Sequence, residues 1–140
     1  MSPKEDEILH VSDTALMVAA CRAMETARPD GLVRDPFAER LAGARGMAIA
    51  RGIPGLDMMC FGVGIRNRFL DELLMNAVTA HPVETVVSVG AGLDSRPWLR
   101  ICRIGVSISM TYWRASGLEA IYLAALSEAA DTGARSTAVI

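Results

Sequence analysis

Apolar residues recur along the chain in spacings that differ from segment to segment. Leu16, Met17, Ala20, Cys21 and Met24 follow one another at i+4 and i+3, the spacing of a single buried helix face. Ser12 or Asp13 can cap this helix, which is predicted to run to about Ala27, because Pro29 forbids continuation. Asp35-Pro36 opens a second predicted helix, with Asp35 as N-cap and Pro36 at the first helical position. Phe37, Leu41 and Ala44 lie on one of its sides. Residues 46–57 hold three glycines and a proline and read as a loop. A third helix is predicted over 61–80. Its apolar stripe is wide: Ile65, Phe69, Leu73 and Ala77 beside Leu70, Leu74 and Val78. His81-Pro82 ends it.

The pattern then switches period. Thr85-Val86-Val87-Ser88-Val89 is short and β-branched, which predicts a buried strand. Ile101 to Met110 alternates enough for a second strand. Ser116-Gly117-Leu118-Glu119 fits a capping box opening a helix to about Ala130, and Asp131-Thr132-Gly133 stops it. Helices followed by a strand and a tight turn make the expected fold class α/β.

Composition narrows the function. The chain has 140 residues, 51% of them hydrophobic, and a net charge of -2. This is enough apolar material for a core and too little net charge for default disorder. A near-neutral chain lacks the electrostatic footprint of a nucleic-acid binder. No run of about 18 apolar residues is available to span a membrane. The first residues are mostly acidic, the reverse of a secretory signal, so the expected compartment is the cytoplasm. Cys21, Cys60 and Cys102 show no metal-ligand spacing, and with His10 and His81 they read as buried thiols and surface imidazoles. No metal site is expected. Arginine supplies nearly all the positive charge, with Lys4 the one lysine, as in a GC-rich gene.

The strongest chemical signal follows the first strand. Val89 runs into Gly90-Ala91-Gly92-Leu93-Asp94-Ser95-Arg96-Pro97. A strand that empties into Gly-x-Gly opens many nucleotide-binding α/β sheets, because glycine lets backbone N–H groups approach a ligand. A dinucleotide fingerprint needs a third glycine where Ser95 stands. It also needs an acidic residue about 20 positions on, and no Asp or Glu lies between Ser95 and Leu118. The NAD reading is therefore poor.

Four segments together carry a larger match: Thr14 to Ala20, Asp35-Pro36-Phe37-Ala38, Arg66-Asn67-Arg68-Phe69-Leu70-Asp71, and Val89 to Trp98. In identity, order and spacing, residues 12–98 resemble the leucine carboxyl methyltransferase family. The nearest likeness is to its bacterial branch of S-adenosyl-L-methionine-dependent methyltransferases, which includes polyketide O-methyltransferases. The resemblance implies a Rossmann-like methyltransferase fold and S-adenosyl-L-methionine as cofactor. It also implies methyl transfer to a carboxylate or hydroxyl of a small-molecule acceptor. It assigns Arg66 to the cofactor carboxylate and places Gly90, Ala91 and Gly92 beneath the cofactor's methionine part. Asp94 either accepts from the cofactor ammonium or braces the turn. Arg96 supports the loop. The cofactor has no pyrophosphate, so the missing third glycine is no obstacle. No residue stands out as a catalytic base, and the chain gives no signal of its oligomeric state.

The likeness weakens after Trp98. Family members continue into a strand ending in an acidic residue that holds the cofactor ribose, whereas Leu99 to Gly105 contains no acid. The expected organisation is a methyltransferase-like part over 1–98 and an atypical tail over 99–140, read as the product of a shifted reading frame. The alternative function is a truncated, non-catalytic fragment with at most weak cofactor binding.

Overall fold

The computed structural model describes residues 8, 10–81, 85–89, 91–96, 99 and 107–111. The chain forms two compact units that divide between Arg68 and Phe69. This boundary falls inside a helix.

The first unit is helical. Helix α1 covers Val11–Ala27 and helix α2 covers Ala38–Arg51. Leu16, Met17, Ala20 and Cys21 of α1 are buried, as their spacing predicts, and Met24 is half-buried. The start of α1 differs slightly from the sequence expectation. Asp13 stands one turn inside, and its carboxylate accepts a hydrogen bond from the His10 backbone N–H at 3.1 Å. It thereby satisfies a donor that the helix itself leaves open.

Helix α2 departs further from expectation. It begins at Ala38, so Pro36 lies outside it. Asp35 still serves the entry, accepting from the Phe37 N–H at 3.0 Å. Leu41 is buried, but Ala44 is exposed. The predicted loop over 46–57 shrinks to a short connection, because α2 continues to Arg51. Its glycines do different work. Gly43 has φ 57 and ψ -174 and kinks the helix. Gly46 lies where a Cβ would come within 2.7 Å of the Leu16 carbonyl oxygen. That glycine lets α1 and α2 approach closely and is no loop signal.

Charged pairs fasten these helices. Arg45 grips Asp13 through two hydrogen bonds of 2.7 and 2.8 Å. Arg22 donates to Asp35 at 2.9 Å, with both side chains buried. The Thr26 hydroxyl donates to the Arg22 carbonyl at 2.8 Å and accepts from the Asp35 N–H at 2.9 Å. Each charge is paired and hydrogen-bonded, the condition under which burial is tolerated.

Helix α3 covers Leu56–Ala80, starting several residues before the predicted 61. Gly55, at φ 73, makes the turn that allows the early start. The predicted buried stripe is corrected by the exposure pattern. Ile65, Phe69 and Leu73 are 48%, 62% and 55% exposed. The buried face of α3 is Cys60, Val63, Gly64 and Asn67. Gly64 sits against the buried carboxylate of Glu25, where a Cβ would meet Oε2 at 3.0 Å.

The second unit contains the C-terminal part of α3 and two strands. Strand β1 covers Thr85–Val89, as predicted. Strand β2 covers Ser107–Thr111 and overlaps the end of the expected 101–110 segment. The strands pair in parallel, from Thr85 opposite Ser107 to Val89 opposite Thr111. Parallel pairing needs a crossover of a dozen or more residues, and residues 90–106 supply it. The predicted helix to Ala130 and its stop lie outside the described residues, as do Gly90, Pro97 and Trp98.

Candidate functional site

Two places carry the residues singled out in the sequence, one in each unit. In the first unit, Met58, Gly62 and Arg66 succeed one another at i+4 along α3. With Pro54, Gly55 and Val63 they line an open, mainly apolar groove of ≈ 550 Å³. A Cβ on Gly62 would meet nothing within 4 Å, so the glycine keeps the groove clear. Arg66 is exposed. Its guanidinium makes no hydrogen bond or ion pair among the described residues. Nearby Arg68, also on α3, is engaged in an interaction of its own. A planar, uncommitted guanidinium beside apolar walls suits a carboxylate with an aliphatic chain.

In the second unit, strand β1 leads into the glycine turn. Ala91 and Gly92 are half-buried, and Gly92 takes φ 55, which a side chain would strain. The Asp94 N–H donates to the Ala91 carbonyl at 3.0 Å and closes the turn. Leu93 is buried beneath it. Gly90 lies outside the described residues.

The structure pairs Asp94 with Arg96. Its Oδ1 accepts from the Arg96 backbone N–H at 3.0 Å and from Nε at 2.9 Å. Its Oδ2 accepts from Arg96 Nη2 at 2.8 Å. Arg96 Nε also lies 4.0 Å from Asp71 Oδ1 on α3. Burial by itself would pull the Arg96 guanidinium down. The hydrogen bond and charge of Asp94, with the charge of Asp71, outweigh it and hold the group above its ordinary value. The Asp94 carboxylate is thus engaged within its own turn.

Sequence reasoning missed the buried charges of the first unit. Arg22 and Glu25 are 6% and 1% exposed, and neither stood out. The available signal was the match of opposite charges, Arg22 of α1 with Asp35 in the connection and Asp13 of α1 with Arg45 of α2. Both thiols within the described residues, Cys21 and Cys60, are buried and unlinked. His10 and His81 are exposed.

The second unit thus holds a parallel strand pair whose first member opens into a glycine turn, and the first unit holds a groove lined by the exposed Arg66. A profile of the family described as leucine carboxyl methyltransferase matches residues 15–108, and the chain belongs to this family. A Streptomyces coelicolor relative is 41% identical over 106 residues, 65% of this chain and 35% of its own length. Its name is "Putative S-adenosyl-L-methionine-dependent methyltransferase". Similarly named relatives are 39% identical in Mycolicibacterium smegmatis (63% of this chain, 33% of the relative) and 37% identical in Mycobacterium tuberculosis (63% and 34%). The chain spans about a third of the length of these curated relatives.

Proposed function

We propose that this chain carries the cofactor-binding N-terminal part of an S-adenosyl-L-methionine-dependent O-methyltransferase. The expected setting is the cytoplasm, the fold Rossmann-like, and the acceptor a carboxylate or hydroxyl of a small molecule. No helix among the described residues is long and apolar enough to cross a membrane. The observation that carries the reading is Arg66, an uncommitted guanidinium at an apolar groove, in a chain whose relatives bear the cofactor in their names.

The residues fit the cofactor's chemistry. Arg66 offers two parallel N–H donors to a carboxylate, and the groove accommodates aliphatic carbon. Gly90, Ala91 and Gly92 offer backbone without bulk, and Gly92 holds the turn open at φ 55. Asp94, braced by Arg96, fixes that backbone and presents negative charge toward an ammonium. Family resemblance, not a measured distance, assigns Arg66 and the glycine turn to one ligand. When bound, the cofactor supplies an electrophilic methyl on a sulfonium. The protein's work is to align the acceptor in line and exclude water. A hydroxyl acceptor would need a base and a carboxylate would not.

A second reading rests on one sequence fact. No Asp or Glu lies between Ser95 and Leu118, so no carboxylate is available there for the cofactor ribose. On this reading the chain is a non-catalytic fragment with weak cofactor affinity, and residues 99–140 are an out-of-frame tail. Translating the gene beyond Trp98 in the other two frames tests the tail; an acidic strand end in one of them supports it. Calorimetry with S-adenosyl-L-methionine and S-adenosylhomocysteine tests the function. Binding below millimolar concentration supports the methyltransferase reading, and absence of binding to both leaves the fragment.

A further inference from the structure

Two of the segments that carry the family likeness meet at one side chain. Arg96 follows the glycine turn, Asp71 lies on α3, and both belong to the second unit. Asp71 is half-buried, on the helix face that also carries half-buried Leu70, Leu74, Met75 and Val78. A carboxylate on an otherwise apolar face calls for a cation, and Arg96 brings one to ion-pair distance, its Nε 4.0 Å from Asp71 Oδ1. Nε and Nη2 of the same guanidinium form a fork on the Asp94 carboxylate, at 2.9 and 2.8 Å. Arg96, Asp94 and Asp71 are 22%, 15% and 23% exposed, so solvent screens these pairs only in part.

We propose that Asp71 is a positioning residue for the glycine turn: through Arg96 it anchors the backbone of residues 91–96 to helix α3. The importance of this contact to ligand binding rests on the reading of the turn as the seat of S-adenosyl-L-methionine. The contact itself does not.

The geometry shows why a second carboxylate matters. Asp94 and Arg96 stand two residues apart in one loop, so their fork stiffens the loop without tying it to another element. Asp71 supplies the point outside the loop. From Arg96 the contact passes directly into the backbone of the turn. Asp94 Oδ1 accepts the Arg96 N–H at 3.0 Å, and the Asp94 N–H donates to the Ala91 carbonyl at 3.0 Å. Gly92, held at φ 55, lies between those two residues. Leu93 and Ser95 are buried and hold the turn by packing; Asp71 adds a directional charge. A turn ordered before the ligand arrives spares the ligand that ordering cost.

The test begins with the whole chain and no ligand. Amide hydrogen exchange at Asp94 and Arg96 reads the turn directly, because both N–H groups are bonded within it. Asp71→Asn keeps the side chain's size and removes its charge, so these two amides should exchange about fivefold faster while amides of α1 keep their rates. Asp71→Glu restores the carboxylate and should restore slow exchange. Glu72→Gln, one residue along α3, should change nothing. Should Asp71→Asn unfold, Arg96→Lys, which reaches one carboxylate but not both, takes its place with the same expected rise. Unchanged exchange in the folded variant, an equal rise with Glu72→Gln, or no rescue by Asp71→Glu would overturn the anchor. Calorimetry with S-adenosylhomocysteine then reads the consequence: Asp71→Asn should weaken binding about fivefold, and Asp71→Glu should recover it. Full affinity alongside fast exchange would overturn the positioning role. Absence of binding by the unaltered chain would instead overturn the cofactor reading, with the anchor still decided by exchange.

Discussion

Helices α1 and α2 differ from α3 in how they spend their side chains. The first two are joined by close backbone approach at Gly46 and by the Arg45–Asp13 ion pair, and the buried Arg22–Asp35 pair ties α1 to the connection before α2. Helix α3 instead exposes Phe61, Ile65, Phe69 and Leu73 while burying Gly64 and Asn67. The contrast shows that an apolar stripe identifies which residues prefer burial, not which face is covered. What covers a face is decided by fit. Gly64 faces the Glu25 carboxylate, a place where a large side chain would clash.

The largest effect should come from breaking the buried pair. Arg22→Ala leaves Asp35 charged and buried without its partner, and should destabilise by about 3–5 kcal/mol in urea unfolding. Gly46→Ala forces a Cβ toward the Leu16 carbonyl and should cost about 1–3 kcal/mol by the same measurement. A cost near zero for either would show that the α1–α2 contact is looser than described.

The buried Cys21 thiol gives a pH dependence. Burial, with the Cys60 hydrogen bond, pushes the Cys21 thiol up to about 12. The unfolded chain loses this proton at a lower pH than the folded one. Stability should therefore be intact below the ordinary thiol range and fall as pH rises toward 12. The slope from this group is at most about 1.4 kcal/mol per pH unit. Unfolding titrations of Cys21→Ala should show a shallower alkaline limb.

On α3 the sign should reverse. Gly62 is exposed with open space where its Cβ would go, so Gly62→Ala should stabilise by about 0.5–1 kcal/mol through helix propensity. The same substitution narrows the groove beside Arg66. A gain in stability together with weaker ligand binding would separate the two roles of that position. The gain alone would show that the groove is not used.

Much of the fold was legible because local rules suffice where one residue fixes the outcome. Pro29 stops α1, and the β-branched run at 85–89 is a strand. The errors lie where a glycine's purpose depends on a distant neighbour. Gly46 looked like a loop residue because the Leu16 carbonyl it meets is invisible in sequence. The roles proposed for Arg66 and the glycine turn come only from family likeness, since a surface arginine and a Gly-x-Gly turn are common singly. Arg96 as the partner of Asp94 was readable locally, two residues apart. The packing of Cys21 against Cys60 was not, because it needs α1 and α3 to meet.

The central claim is that Arg66, and not its neighbour Arg68, receives the cofactor carboxylate. The direct measurement is calorimetric affinity for S-adenosylhomocysteine in the whole chain, in Arg66→Ala and in Arg68→Ala. The account predicts sub-millimolar binding, a loss of about 2 kcal/mol for Arg66→Ala as a charged hydrogen-bond partner is removed, and little change for Arg68→Ala. Equal affinity in Arg66→Ala and the unaltered chain, or a loss confined to Arg68→Ala, would contradict it.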